Sequence, residues 1–565
     1  MGANILILNL TRMGDLIQTT PLVRGLRQAE PDSRITMLAN AKFAGILKFV
    51  EGIDEIVTFD VARFGSMGGK EEADVLEVYG YLDRLCVELN QRRFDRIINL
   101  SHSKLSAVLS LLISAPDVRG FLSTPRGERL IRDPWLVYFT SFLGYRKYNR
   151  FNLVDMYMRG AGVAPSPHTR LDLKLDDSAR QAARRNMEQM GIGPDDMVVG
   201  LQAGASREDR RWSPQSFAMV GDHLAKSMGA KIILFGAASE KKLGDQVEAA
   251  MTAPAVNIIG KTDLAGLAGW VKNLDLLVTN DTGTMHIAAA LGTPIVALFF
   301  VHARCEETGP YCADALVLQA DISCAPCTHQ TVCDHYSCLS RITPQDVIAA
   351  SESILKKDPA PLAGPGLFKH VHLYKSGFHG DGGIEFVPLR LPPLGKEDIF
   401  AYLYRPLFAM ALDKWETPGE IRFFPEMFGG EIDRLAERFT APPAEDMAAW
   451  TGRAMEGADE LSTLAKETSE AARSMKNASG GGALKAAADL IERLDGRIAT
   501  LAATHVQVSP LAMVYRRRVE NFEGDDPENL ASQAVKAALW LEKTAKTFKA
   551  AVKLADEKLR GGFMA

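Results

Sequence analysis

The chain has 565 residues, 47% apolar and 24% charged, with a net charge of -5. That length exceeds one compact domain and that composition suits globular cores. The mild charge excludes a strongly basic nucleic-acid binder, and no apolar run reaches the roughly 18–20 residues that a membrane-spanning helix needs.

The opening, Met1-Gly-Ala-Asn-Ile-Leu-Ile-Leu-Asn9, has no basic stretch and runs directly into a strand pattern. It predicts no signal peptide. With seven cysteines in such a chain, a reducing, cytoplasmic setting is expected, with no default disulfides.

Strand patterns follow at Ile5–Leu10, Ile35–Leu38, Glu55–Phe59, Arg96–Leu100 and Val118–Phe121. A polar stretch with prolines, Ala164–Arg170, marks a boundary. A second series runs through Val198–Leu201, Lys231–Phe235, Val256–Ile259, Leu274–Thr279, Ile295–Phe300 and Leu316–Leu318. These continuous Val/Ile/Leu runs are those of parallel strands buried on both faces. Helical patterns such as Pro21–Ala29, Pro214–Ser227 and Thr284–Leu291 make them βαβ units. The expected division is an N-terminal lobe over residues 1–165 and a second over 166–357. A Pro/Gly-rich linker over 358–396 and a helical appendage over 397–565 follow. The appendage is read from amphipathic patterns at Ala444–Ser474, Ala483–Thr504 and Glu528–Lys558.

Five segments carry candidate chemistry. Arg12-Met-Gly-Asp15 follows the first strand. Ligands sit at that edge of an open α/β sheet, and Asp15 can accept a proton from a substrate hydroxyl; it equally suits a helix cap. Gly200–Pro214 joins a strand to a helix through a loop that holds Ser206, Arg210 and Arg211; the arginines can offset phosphate charge, or be solvated. Phe235–Glu240 is a third strand-to-helix loop. Its Glu240 suits ribose hydroxyls or the helix dipole.

Asp281-Thr282-Gly283-Thr-Met-His286 opens a helix. Free N–H groups there and the helix dipole suit a diphosphate, and Gly283 lets a ligand approach closely. The fifth segment is Cys324-x2-Cys327-x5-Cys333-x4-Cys338, with His329 and His335 interleaved. Four thiolates can hold Zn or Fe, yet the spacing is not that of common zinc ribbons. A structural metal and a packed reduced loop both stay open.

In this order the motifs resemble glycosyltransferase family 9, the bacterial ADP-heptose heptosyltransferases, over about residues 1–355. The carriers are Arg12–Asp15 with Thr19-Thr-Pro21, Leu201–Trp212, Phe235–Glu240, and Asp281–His286 with Gly292-Thr-Pro294. The resemblance implies a GT-B fold, α/β with two Rossmann-like lobes, here followed by the helical appendage. It implies metal-independent transfer with inversion at the anomeric carbon and no catalytic cofactor. Asp15 matches the family's base. Ser206, Arg210, Glu240, Asp281, Thr282, Gly283 and His286 match its donor contacts, with Arg210 where the family usually has Lys and Ser206 where some members have Thr. Some relatives hold iron on a comparable four-Cys set, which extends to Cys324, Cys327, Cys333 and Cys338 as a structural Zn or Fe site.

The implied partners are a nucleotide sugar, ADP-heptose first, and a lipopolysaccharide-core, other glycan or protein acceptor, with no nucleic acid. Peripheral contact with the inner membrane and a homo-oligomer are open roles for the appendage. The alternatives are another GT-B sugar-nucleotide enzyme, such as an epimerase, and a non-catalytic binding protein with a helical interaction domain.

Overall fold

The computed structural model describes residues 2–65, 75–142, 145–328, 331–478 and 480–562. Two compact units emerge: residues 1–127 with 151–389, and residues 128–150 with 390–565.

The first unit holds two sheets. In the first, β1 (Asn4–Asn9), β2 (Arg34–Asn40), β3 (Glu55–Phe59), β4 (Arg96–Asn99) and β5 (Asp117–Ser123) lie parallel in the order β3-β2-β1-β4-β5. Ile5 to Leu8 of central β1 are wholly buried. Such a strand has apolar cover on both faces, which is why it reads as an unbroken apolar run. Leu6, Leu8, Leu38, Leu85, Leu89 and Ile97 share one core.

The short strand β6 (Arg129–Ile131) belongs to the second unit. The second sheet comprises β7 (Val198–Gln202), β8 (Lys231–Phe235), β9 (Ala255–Asn257), β10 (Leu276–Asn280), β11 (Ile295–Phe299), β12 (Leu316–Ala320), β13 (Val371–Phe378) and β14 (Ile384–Pro388), ordered β14-β13-β12-β11-β10-β7-β8-β9. Strands β7 to β12 are parallel. The chain order reverses between β7 and β10, and such a switch point opens a crevice beyond the strands' carboxyl ends.

The linker expected over 358–396 instead contains two strands. Strands β13 and β14 form an antiparallel hairpin, and β13 pairs with β12. Val371 and Leu373 join the core of the second sheet. Alternation of buried and half-buried residues in Val371-His-Leu-Tyr374 is the pattern of a strand covered on one face, outweighed in the sequence by the surrounding Pro and Gly. The Gly380-Asp-Gly-Gly signal is the hairpin's turn: the His379 N–H donates to the Gly383 carbonyl at 2.8 Å. Gly382 has φ +84°, and a Cβ there would lie 2.6 Å from Ser166 backbone. The helix Pro344–Lys356 precedes the hairpin.

The helical unit is also larger than the appendage expected over 397–565, since residues 128–150, assigned above to the N-terminal lobe, belong to it. Asp133 caps the helix Pro134–Ser141, accepting from the N–H groups of Trp135 at 2.8 Å and Leu136 at 3.2 Å. This helix is apolar nearly all round, so it must be buried. Within the unit Tyr138 meets Phe408 edge-on at 5.0 Å and the Trp135 indole donates to Asp413 at 3.2 Å. Thr451 bonds Asp556 and Asp459 bonds Lys549, so the long helices Ala444–Lys476 and Pro527–Gly562 run antiparallel. Among the described residues no helix is long and apolar enough to cross a membrane.

Candidate active site

The loop after β1 is shaped by its own polar groups. Asn9 ends the strand buried; its Oδ1 accepts from the Thr11 N–H at 3.2 Å and its Nδ2 donates to the Asp15 carbonyl at 3.4 Å. The short helix Met13–Ile17 follows. The half-buried Asp15 carboxylate accepts the Arg12 N–H at 3.2 Å. Burial raises the Asp15 carboxyl above the usual range, while the Arg12 N–H, Thr11, His102 and the Arg12 guanidinium work against that rise.

The loop after β7 is tied to the end of β10. Buried Asn280 donates through Nδ2 to the carbonyls of Ala203 at 2.7 Å and Gly204 at 3.3 Å, and accepts the Trp212 N–H at 3.3 Å. Trp212 is itself buried and donates its indole N–H to the Ile342 carbonyl at 3.1 Å. On this frame Arg210 pairs with Asp281 at 2.7 Å, with both side chains 12% exposed, and donates its other amino group to Ser206 Oγ at 2.7 Å.

Glu240 stands beside the same loop. Its carboxylate accepts the Ala237 N–H at 2.8 Å and the Gln202 amide at 3.4 Å. A Cβ on Gly204 would fall 2.0 Å from that carboxylate, so any larger residue at 204 would displace the Glu240 carboxylate from this position. Ser239 does not cap the following helix; Glu240 is its N-cap residue.

Thr282 is the N-cap residue of the helix Gly283–Leu291, yet its side chain makes no capping bond. That hydroxyl lies 3.3 Å from Thr279 Oγ1. The Thr282 side chain therefore leaves the N–H groups of Gly283 and Thr284 open, while the Met285 N–H donates to the Thr282 carbonyl at 3.2 Å. Buried His286 keeps Nδ1 without a partner, and burial lowers its pKa to about 4, so the imidazole is neutral near pH 7.

The first and second sheets meet here. A Cβ on Gly14 would lie 2.8 Å from the His286 ring, and one on Gly283 would lie 2.4 Å from Met13 Cε and 3.7 Å from the Gly14 nitrogen. Arg12 Nη1 donates to Ser206 Oγ at 2.8 Å. Asp15, Ser206, Arg210, Asp281, Thr282, Gly283 and His286 thus border one region, with Glu240 next to the β7 loop. Arg211 bonds the Ala205 carbonyl and Glu208.

Sequence reasoning missed Arg12, Asn9, Gln202 and Asn280 as site-forming side chains. The last three share a signal: each is an amide residue closing a buried parallel strand, at the edge where α/β sheets bind ligands.

The cysteine segment lies beside the residues that follow β11, with the Cys327 N–H donating to the Val301 carbonyl at 3.0 Å. Cys324, Cys327, Cys333 and Cys338 are free thiols. Burial first, then the neighbouring thiols, raise the Cys327 thiol; burial, Cys333 and Cys324 do so at Cys338. The four therefore share one neighbourhood and are soft donors suited to Zn or Fe. Among the described residues the one set of three or more potential ligands with ligand atoms within 4.8 Å of one another is Cys333, Asp334 and His335; the four cysteines are not gathered that closely. His329 lies outside the described residues.

Residues 82–336 match the model of glycosyltransferase family 9 (heptosyltransferase). Lipopolysaccharide heptosyltransferase 2 of Salmonella typhimurium is 24% identical over 366 residues, covering 63% of this chain and 99% of that protein. The Escherichia coli protein of that name is 25% identical over 304 residues, covering 52% and 82%. The crystal structure of a family 9 glycosyl transferase from Veillonella parvula superposes with a TM-score of 0.51 at 26% identity, covering 63% of this chain and 98% of that one. The two-sheet unit has the GT-B fold. The chain carries a glycosyltransferase family 9 domain and is a glycosyltransferase.

Proposed function

We propose that this protein transfers a heptose from ADP-heptose, with inversion, to a lipopolysaccharide inner-core acceptor at the cytoplasmic face of the inner membrane. The observation that carries the reading is the approach of Gly14 to His286. It sets the Asp15 carboxylate beside a helix N-terminus, so an acceptor hydroxyl and a donor diphosphate can share one site. The names of the aligned relatives support heptose and the lipopolysaccharide core.

In this reading Asp15 takes the hydroxyl proton as the acceptor oxygen attacks the anomeric carbon from the face opposite the diphosphate. Its raised pKa makes it a stronger base than an ordinary aspartate. Negative charge grows on the departing ADP. Arg210 and the N–H groups opened by Thr282 and Gly283 stabilise it, already oriented before the reaction. Asp281 holds the Arg210 fork in place, and Glu240 binds the ribose hydroxyls. Neutral His286 offers Nδ1 to the donor without adding a charge. Arg210 and the helix dipole balance the diphosphate, so the reaction runs without a catalytic metal. A Zn or Fe ion on Cys324, Cys327, Cys333 and Cys338 would neutralise the thiolates and brace the segment, outside the chemical steps.

The test is to incubate purified protein with ADP-heptose and a lipopolysaccharide inner-core acceptor in EDTA. ADP release should require the acceptor, and NMR should show an inverted anomeric linkage. Retention of configuration, or release restored only by added Mg or Mn, contradicts the reading.

A further inference from the structure

Arg12 is not among the donor contacts given above, yet it reaches them. It stands on the β1 loop, three residues before Asp15, with its side chain exposed. Its Nη1 crosses to the β7 loop and donates to Ser206 Oγ at 2.8 Å. The same oxygen accepts Arg210 Nη2 at 2.7 Å. Two guanidinium groups therefore converge on one neutral hydroxyl. Arg210 has a carboxylate partner in Asp281 at 2.7 Å, whereas Arg12 directs this nitrogen at a hydroxyl alone. Like charges drawn this close are stabilised by an anion between them, and a planar guanidinium fork suits phosphate oxygens.

We infer that Arg12 is a second cation for the departing diphosphate, supplied by the sheet that also carries Asp15. This rests on the donor site of the proposed function and adds a residue to it. When donor binds, a phosphate oxygen takes the place that Ser206 Oγ holds between Arg12 and Arg210. The bond from the anomeric carbon to the β-phosphate oxygen breaks as the bond to the acceptor oxygen forms. The electron pair goes to that phosphate oxygen and the acceptor's proton goes to Asp15. Arg12 exchanges no proton; it stabilises the growing phosphate charge. Arg12 stands three residues before Asp15, so one short segment carries both the base and this phosphate contact.

The test uses the full-length protein and its Arg12→Ala and Arg12→Lys variants. Titration calorimetry reads ADP and AMP binding, and a transfer assay reads kcat, KM and their pH dependence. Wild type should bind ADP more tightly than AMP. Arg12→Ala should lose about tenfold or more in ADP affinity with little change for AMP, and about 10²–10³-fold in kcat, as for removal of one transition-state donor. Arg12→Lys should recover part of both, since it keeps the charge but not the fork. Unchanged ADP affinity in Arg12→Ala, with only the acidic limb of the pH profile shifted, would show that Arg12 merely tunes Asp15 and would overturn the inference alone. Failure of wild type to bind ADP would overturn the donor-site reading and the inference with it.

Discussion

Gly14 lies so close to His286 that a Cβ at position 14 would stand 2.8 Å from the imidazole Cδ2. The ring is buried, so Gly14→Ala should push the β1 loop away from the helix Gly283–Leu291. A misplacement of about 1 Å can cost roughly 10²-fold in rate. We expect kcat to fall by about that factor while ADP affinity changes little, as measured by steady-state kinetics beside calorimetry. Wild-type kcat in Gly14→Ala would mean that the two loops need not meet for transfer.

Asn280 fixes the β7 loop through Ala203, Gly204 and Trp212. Asn280→Ala leaves those buried groups short of partners, at about 1–3 kcal/mol. The protein should lose melting temperature and bind ADP more weakly, because Ser206 and Arg210 ride on that loop. Thermal unfolding with and without ADP checks both effects.

Burial holds the His286 pKa near 4 in the folded protein, while an unfolded histidine titrates near 6.5. Between these values the unfolded chain binds more protons, so stability rises with pH across that window and is lost as pH falls toward 4. His286→Gln should remove this contribution, which is at most about 3 kcal/mol. Melting temperatures at pH 4.5 and 7.5 should differ less in the variant than in wild type.

The helical unit should not be removable as a tail. A chain ending near residue 357 would lose β13 and bare the edge of β12. A chain ending at 389 would keep Trp135, Tyr138 and Phe142 but lose their covering residues Phe408 and Asp413. Exposed apolar surface of that kind drives association. We expect both truncations to aggregate, as light scattering would show; a monodisperse chain ending at 389 would contradict the shared unit.

Much of this was legible in the sequence where burial dictates composition. Strands such as Lys231–Phe235 are buried on both faces, so their apolar runs marked them with the observed bounds. The Asp281–His286 cluster was visible because a strand end, a glycine and a helix start fall together. Three features were not legible. The β13–β14 hairpin was masked by flanking Pro and Gly, although its residues alternate. The membership of residues 128–150 in the helical unit depends on partners more than 250 residues away, such as Asp413 for Trp135. The role of Asn280 depends on carbonyls 76 and 77 positions earlier, a register that no local pattern encodes.

The most direct test is Asp15→Asn, measured for ADP binding and for single-turnover transfer on one preparation. In the proposed reaction Asp15 serves as the base, while the diphosphate is held by the Arg210 loop and the helix Gly283–Leu291. The variant should therefore bind ADP with wild-type affinity and transfer about 10²–10⁴-fold more slowly. Near wild-type transfer by the folded variant would contradict the account.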